Sequence, residues 1–315
     1  MTNLNVLTPI YKDYLWGGNK LQQRYNKKNN DNKLLAESWE LSTHPDGISR
    51  INDESFIHFI KENPQVLGTK CKEKDSPLLI KYIDSKKELS IQVHPNDAYA
   101  RINEHDNGKT ELWYIVEAES NAYIYLGLKQ KLTKEEFRKA ISENTITEYM
   151  NKLSVKKGDV LLVEPGTLHS IGEGCLIAEI QEKSNVTYRV YDFNRKDQNG
   201  NLRPLHIDKV LEVTNLKQSN HDGLPDEIIK QTASTTIERL KKCDYFTVDY
   251  YAIKNKETIN VNEESFKVLM LTAGNAVVST SDETVSLVQG ESIFLSAGDY
   301  EVSVTGICEF LTVSL

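Results

Sequence analysis

The chain has 315 residues, of which 39% are apolar and 27% are charged, so it suits one large or two ordinary folded domains and not a disordered chain. No run approaches ~18 consecutive apolar residues, and the first residues lack a signal-peptide layout. We therefore expect a cytoplasmic protein without a membrane partner. The net charge of −8 also argues against nonspecific nucleic-acid binding.

Short runs rich in Val, Ile and Tyr, separated by Gly and Pro, predict a mainly β fold. The predicted strands, in chain order, are 78–83, 89–94, 112–116, 122–126, 160–163, 176–180, 187–191, 248–253, 267–271, 276–279, 292–295 and 301–304. Helices are few: 54–63 ends before Pro64, and Thr133 and Glu136 form a capping-box pattern ahead of a second helix. Residues 206–234 look like a third segment, of mixed character, that leads into a linker rich in Gln, Ser and Thr.

One internal repeat stands out. Residues 155–169 resemble residues 287–301 at a constant offset of 132, which aligns Gly158 with Gly290. Residues 113–119 resemble 268–274 at an offset of 155, and the difference of 23 residues is close to the length of the helical insertion that Thr133 begins. The repeat predicts two copies of one β-unit; the alternative is two unrelated hairpins with similar turns.

The pattern from Gly158-Asp159 through Pro165-Gly166 to His169 resembles the second motif of the cupins, which are double-sheet jelly rolls. We therefore predict two cupin-type jelly-roll β-barrels with a few short helices. Residues 1–235 would form a catalytic, metal-binding barrel with the small helical insertion, and residues 236–315 a second barrel. An N-terminal strand donated to the second barrel is a further possibility.

Alternation on a strand places Ser90, Gln92 and His94 on one face of 89–94, with Ile91 and Val93 on the other. A polar row beside an apolar row indicates that one face has a polar role or meets solvent. Lys109 and Glu111 share a face in the same way, and His169 follows the Pro165-Gly166 turn.

At the cupin positions, Gln92, His94, Glu111 and His169 offer one amide oxygen, two imidazoles and one carboxylate. This donor set suits a divalent metal of intermediate hardness with a position left for water or substrate. In the second copy His169 aligns with Glu301, and the Glu111 position falls on Phe266. We therefore expect the second barrel to be metal-free.

Several motifs together resemble the type I mannose-6-phosphate isomerases in their shorter bacterial form. The resemblance covers roughly residues 1–200, and the last third resembles the family's C-terminal jelly roll only weakly. This chain has Lys109-Thr-Glu111 where longer members often have Lys-Pro-Glu. The matching motifs are Trp16-Gly-Gly18, Ala36-Glu-Ser-Trp39 with His44-Pro45, Ser90-Ile-Gln-Val-His-Pro95, Lys109-Thr-Glu111, Pro165-Gly-Thr-Leu-His169 and Asn185-Val-Thr-Tyr-Arg189 through Arg195.

The resemblance implies interconversion of mannose 6-phosphate and fructose 6-phosphate through an enediol. It implies one Zn2+ per chain, held by Gln92, His94, Glu111 and His169, and a small sugar phosphate as partner. No dinucleotide or P-loop motif signals another cofactor. Monomer and homodimer both remain open.

The resemblance also suggests roles for individual residues. Arg189 would act near the reacting carbons, Lys109 would stabilise enediolate charge or move a proton, and Glu179 is a weaker acid–base candidate. Arg195 falls at the family's cationic phosphate contact, and Ser90 could donate to the same phosphate.

Each of these residues also has a purely structural alternative. Arg189 or Arg195 could pair with a nearby aspartate, Asp192 or Asp197, and Lys109 could be a solvated turn residue.

Two other functions compete with the isomerase. Two His and one carboxylate also form the iron triad of oxygenases, although Gln92 would fill a position that O2 chemistry needs open. A cupin can also bind a sugar phosphate without turnover, since a fold alone does not define a function.

Overall fold

The computed structural model describes residues 3–28, 34–71, 76–196, 200–221 and 223–315. Within these ranges the helices are α1 (Lys20–Arg24), α2 (Phe56–Glu62), α3 (Asp97–Asn103), α4 (Lys134–Ser142) and α5 (Ile207–Val213), with 3-10 turns at Pro64–Leu67 and Ile146–Tyr149. The strands are β1 (Leu4–Thr8), β2 (Ile10–Lys12), β3 (Glu37–Leu41), β4 (Arg50–Ile51), β5 (Glu54–Ser55), β6 (Leu78–Ser85), β7 (Ile91–Val93), β8 (Glu111–Ala118), β9 (Tyr123–Leu128), β10 (Met150–Ser154), β11 (Val160–Val163), β12 (His169–Ile171), β13 (Cys175–Glu182), β14 (Tyr188–Tyr191), β15 (Glu227–Gln231), β16 (Thr235–Lys242), β17 (Thr247–Ile253), β18 (Lys256–Val261), β19 (Lys267–Ser279), β20 (Thr284–Val288), β21 (Ser292–Leu295) and β22 (Tyr300–Ser314).

The mainly β prediction is confirmed, and every predicted strand overlaps an observed one. The capping box at Thr133 is also confirmed: its hydroxyl accepts from the Glu136 N–H, while the Glu136 carboxylate accepts from the Thr133 N–H. The helix predicted at 54–63 begins two residues later, because β5 pairs with β4 at that point. The short helices α1 and α3 were not predicted.

Two antiparallel sheets face each other to form the first barrel. The six-stranded sheet has the order β11-β8-β13-β6-β3-β2, and the five-stranded sheet has the order β10-β9-β12-β7-β14. Trp113 and Ile177 from the first sheet pack with Ile124 and Ile171 from the second, so this apolar cluster fills part of the space between them.

The C-terminal strands form the second barrel around their own apolar core. Strand β1 joins this barrel, because Leu4 pairs with Leu295 across β1 and β21. The N-terminal strand is thus donated to the second barrel, which the sequence had left as a possibility. The division of the chain at 235/236 stays a prediction, and β1 shows that sheet membership does not follow chain order alone.

The internal repeat reappears in the strands: β11 and β21 lie 132 residues apart, and the preceding Gly158 and Gly290 have φ of 93° and 94°. Such a positive φ favours glycine at both turns.

The strand register corrects the predicted alignment of Glu111 with Phe266. Glu111 pairs with Val163 in the first barrel, and Lys267 pairs with the equivalent Leu295. The counterpart of Glu111 is therefore Lys267 and not Phe266.

The six-stranded sheet has an apolar outer face that packs on the second barrel. Along β6, Leu78, Ile80 and Tyr82 belong to that shared core, so Lys81 points into the first barrel.

Helices α4 and α5 cover the outside of the five-stranded sheet, where Ile91 packs in the same apolar cluster as these helices. Gln92 and His94 lie on the opposite face of the strand, as its alternation predicted, and consequently face inward. No helix among the described residues is long and apolar enough to cross a membrane.

Phe294 of β21 provides a test of the packing between the barrels. Its ring is fully buried and lies 5.3 Å from Phe56 of α2 and 5.2 Å from Phe266, between ring centroids. We expect Phe294→Ala to lower the free energy of unfolding by about 3–5 kcal/mol, because it removes a large side chain from a packed core. Equilibrium urea unfolding followed by tryptophan fluorescence measures this. Val288→Ala, at a 43% exposed position of β20, is the control, and equal effects would contradict the packing.

Candidate metal centre

Three side chains from three strands meet inside the first barrel. His94 directly follows β7, Glu111 begins β8 and His169 begins β12. His169 pairs with Gln92 of β7, which places the two histidines on neighbouring strands. Each of the three ligand candidates is at most 1% exposed. They form the one group of at least three potential metal-binding side chains within the described ranges.

The potential ligand atoms of these three residues point at one another. The Nε2 atoms of His94 and His169 lie 3.1 Å apart. Glu111 Oε2 lies 3.5 Å from the first nitrogen, and Glu111 Oε1 lies 3.5 Å from the second. The site thus gathers two imidazole nitrogens and both oxygens of one carboxylate around one point.

Backbone hydrogen bonds fix the orientation of both imidazoles. His94 Nδ1 lies 2.8 Å from the Val186 carbonyl oxygen, and His169 Nδ1 lies 2.8 Å from the Thr167 carbonyl oxygen. Since a carbonyl only accepts, each Nδ1 carries the proton and each Nε2 presents a lone pair. Burial lowers the pKa of both imidazoles, that of His169 to about 3, so both rings are neutral. Neutral imidazoles with carbonyl-bound Nδ1 atoms are the form that binds metals.

The Glu111 carboxylate is fully buried and has one ammonium group close to it. Neither oxygen has a partner with hydrogen-bond geometry, although Lys109 Nζ forms an ion pair with Oε2 at 2.8 Å. Burial and the nearby Glu179 raise the pKa of Glu111 to about 7. A buried carboxylate with open lone pairs is costly unless a cation neutralises it. These two imidazoles and this carboxylate therefore fit a divalent metal ion.

Gln92 and Lys109 complete the inner wall of the site. Gln92 Nε2 lies 3.3 Å from His169 Nε2, so its amide reaches the cluster, and a half-turn of that amide would present its oxygen. Lys109 Nζ lies 3.3 Å from His94 Nε2 and is almost fully buried. Lys109 is thus no solvated turn residue.

A cross-strand row of polar side chains extends from this cluster. Four residues face one another across neighbouring strands: Trp39 of β3, Lys81 of β6, Glu179 of β13 and Trp113 of β8. Lys81 Nζ lies 2.9 Å from Glu179 Oε1, and the Trp113 indole donates to Glu179 Oε2 at 2.9 Å. Burial opposes ionisation of Glu179, but Lys81, Lys109 and the two hydrogen bonds outweigh it and lower its pKa to about 2. Glu179 is therefore an ionised carboxylate with both oxygens engaged.

A cavity of about 290 Å³ opens beside the cluster. It brings together most of the residues that the sequence singled out, namely Ser90, Gln92, Lys109, Glu179 and Arg189. Its lining residues are Tyr14, Trp16, Glu37, Lys81, Ile83, Leu89, Ser90, Gln92, Lys109, Ile171, Glu179, Asn185, Thr187, Arg189 and Arg203.

Arg195 is the predicted site residue that neither lines this cavity nor belongs to the His94, Glu111 and His169 cluster. Its guanidinium is bound by the Asp192 carboxylate and by the Glu88 carbonyl, so the alternative of pairing with Asp192 is the one that the structure contains. The other alternative partner, Asp197, lies outside the described residues. Arg203 lines the cavity instead, with its Nε donating to the same Asp192 carboxylate at 2.6 Å.

Arg189 lies at the cavity wall with a free donor. Its Nη1 donates to the Pro204 carbonyl at 2.9 Å, while its buried Nε has no partner. Burial and the neighbouring Arg203 lower its pKa. A buried donor without a partner is suited to bind an anionic or oxygen-rich ligand.

Sequence reasoning missed Lys81, Glu37 and Arg203. Lys81 had a usable signal, because it is a lone lysine inside the apolar run 78–83. Glu37 belongs to the Ala36-Glu-Ser-Trp39 motif, but the sequence analysis assigned it no role. Arg203 follows a loop with no pattern that points to a site.

Two jelly-roll barrels and a buried His/Glu/His group beside a charged cavity define a cupin with a potential metal centre. Residues 4–111 match the family model described as phosphomannose isomerase type I, catalytic domain, and residues 236–315 match mannose-6-phosphate isomerase, cupin domain. The chain is 32% identical to a probable mannose-6-phosphate isomerase, GmuF, of Bacillus subtilis, which covers 99% of both chains. It is 34% identical to a mannose-6-phosphate isomerase of Streptococcus mutans, with 89% of this chain and 88% of the other covered.

A crystal structure of the mannose 6-phosphate isomerase from Bacillus subtilis superposes with a TM-score of 0.92 over 100% of both chains, at 31% identity. The chain belongs to the type I mannose-6-phosphate isomerase family, a family of enzymes. The resemblance noted from its motifs is confirmed.

His94 tests the metal centre. We expect His94→Ala to lose the bound metal and the catalytic activity together, because it removes one of two imidazoles from the cluster. Metal content per chain, measured by mass spectrometry after dialysis, checks this alongside activity. His58→Ala is the matched control, since His58 is an exposed histidine of α2. Full activity in a metal-depleted His94→Ala protein would contradict a metal centre.

Proposed function

We propose that this chain interconverts mannose 6-phosphate and fructose 6-phosphate through an enediol, at a zinc site held by Gln92, His94, Glu111 and His169. The observation that supports it most is the convergence of two imidazole lone pairs and a buried carboxylate beside a cationic cavity. Family membership supplies the substrate class.

The donor chemistry supports zinc, with one ion per chain. Two imidazole nitrogens, one carboxylate and one amide oxygen suit zinc better than a hard cation such as magnesium, which prefers oxygen ligands alone. When bound, zinc supplies a fixed positive charge that polarises sugar oxygens without redox chemistry. One such group among the described residues supports a single ion per chain.

The cavity has an excess of cations that suits a sugar phosphate. Lys81, Lys109, Arg189 and Arg203 line it, against the two carboxylates of Glu37 and Glu179. A phosphate dianion needs such charges and donors, and a guanidinium can bind it with two parallel hydrogen bonds. We assign the phosphate to Arg203 and the Ser90 hydroxyl, while Arg195 supports this end of the cavity through Asp192.

The reaction moves a proton between C1 and C2 and develops negative charge on the neighbouring oxygens. Lys109, at the cluster and in the cavity wall, would stabilise that charge or carry a proton to it. The unpartnered Nε of Arg189 would donate to a substrate oxygen near the reacting carbons. Glu179 remains an acid–base candidate, and its ionised state also fixes Lys81 in the wall.

A coupled assay tests the proposed function. We expect the purified protein to form fructose 6-phosphate from mannose 6-phosphate, to lose turnover after chelation and to regain it when zinc is returned, because the donors hold the ion that polarises the substrate. Turnover should persist without oxygen, which separates an isomerase from an oxygenase. Absence of turnover by protein that contains one metal per chain would refute the isomerase and leave a binding protein.

Substitution of the two cavity arginines should change different kinetic constants. We expect Arg189→Ala to lower kcat by about 100-fold or more with unchanged metal content, as for loss of a transition-state donor. Arg203→Ala should chiefly raise KM for mannose 6-phosphate, because phosphate binding contributes equally before and during the reaction. Steady-state kinetics and metal analysis measure both effects. Arg138→Ala, on the exposed face of α4, is the control, and identical kinetic defects in the two variants would contradict these roles.

A further inference from the structure

The segment that carries Lys109 lies outside regular structure, yet its backbone is held at three consecutive residues. Residues 107–110 form a loop that leads into β8. The Gly108 N–H donates to Asp97 Oδ1 at 2.8 Å, the Lys109 N–H to the Pro95 carbonyl at 3.1 Å, and the Thr110 N–H to Glu182 Oε1 at 2.7 Å. Two of these three acceptors are side-chain carboxylates.

The two carboxylates come from two different elements of the fold and lie outside the metal cluster. Asp97 is the first residue of α3, and Glu182 is the last residue of β13. Both line a second cavity, of about 380 Å³, which shares no lining residue with the cavity at the metal cluster. Neither residue therefore belongs to the wall that would touch the sugar phosphate.

The fit of the loop against α3 is tight. A Cβ at Gly108 would lie 2.4 Å from the Asp97 backbone nitrogen and 2.6 Å from the Asn96 carbonyl carbon, a distance that real Cβ atoms do not reach. The glycine thus allows the loop to approach α3 closely enough for the Asp97 carboxylate to accept its N–H. Glu182 is only 5% exposed, so its bond to Thr110 is shielded from water.

We propose that Asp97 and Glu182 are positioning residues that fix the backbone on either side of Lys109 and so place its ammonium group at the catalytic cluster. The inference rests on the proposed function, in which Lys109 acts on the substrate. A side chain as long as lysine reaches a defined point only if its Cα is fixed, and a displacement of about 1 Å can cost about 100-fold in rate. Glu111 is held separately, by its strand pairing with Val163 and Gln181, so the metal set should not depend on these carboxylates.

Burial, together with the neighbouring Asp97, raises the pKa of Glu182 to about 7. Two carboxylates at close range share a proton readily. A glutamine at position 182 can reproduce both contacts, because its amide oxygen accepts from the Thr110 N–H while its amide nitrogen donates to Asp97. Glu182→Gln is therefore the conservative variant, and Glu182→Ala removes the acceptor.

The test compares Glu182→Ala, Glu182→Gln and Asp97→Ala with the zinc-loaded wild type. We expect Glu182→Ala to lower kcat by about 10- to 100-fold, with KM for mannose 6-phosphate changed by no more than about twofold and the metal content unchanged. Glu182→Gln should restore most of kcat. Asp97→Ala, at the partly exposed start of α3, should act in the same direction and serves if Glu182→Ala does not fold. Asp244→Ala is the control, since this exposed residue lines the same second cavity without bonding to the loop.

Amide hydrogen exchange, followed by mass spectrometry, supplies a readout that needs no turnover. Peptides covering residues 107–112 should exchange faster in Glu182→Ala and Asp97→Ala than in the wild type, while peptides covering β9 should not change. Unchanged kcat in both alanine variants, failure of Glu182→Gln to restore kcat, or lost kcat without faster exchange at 107–112 would overturn the proposal. A wild type without isomerase turnover would instead refute the proposed function, and the exchange data would still decide whether the carboxylates hold the loop.

Discussion

The imidazole nitrogens of His94 and His169 lie 3.1 Å apart, and both present lone pairs because their other nitrogens donate to backbone carbonyls. The buried Glu111 carboxylate adds two more acceptor atoms to the same point. Acceptors at such distances repel unless a cation lies among them. The arrangement can persist because sheet register and backbone carbonyls, and not flexible contacts, set each side chain.

The charges around this cluster also compensate one another. Lys81 is buried between Glu179 and Glu37, and Lys109 is buried against Glu111, so each ammonium has a carboxylate within 2.9 Å. Isolated charges would be costly inside a barrel, whereas paired charges with indole donors are tolerable. Removing one partner of either pair would therefore leave the other as an uncompensated charge inside the barrel.

The separation of a polar face from an apolar face could be predicted because strand alternation is visible in the sequence: Gln92 and His94 alternate with Ile91 and Val93. That the polar face is the inner one follows only from the structure, in which the apolar pair packs on helices. The position of Arg203 in the cavity wall could not be predicted, because nothing in the sequence distinguishes the two arginines that pair with Asp192. The equivalent of Glu111 in the second barrel was misplaced by one residue, since similarity of apolar runs does not determine strand register.

The two barrels have different roles in packing. The second barrel has an apolar interior and binds the outer face of the six-stranded sheet through Phe294 and its neighbours. That contact buries one face of the strands β6, β8 and β13, and by alternation it turns Lys81, Glu111 and Glu179 to the opposite face. The second barrel therefore orients the site without contributing a ligand: its core determines which face of three strands can carry charge.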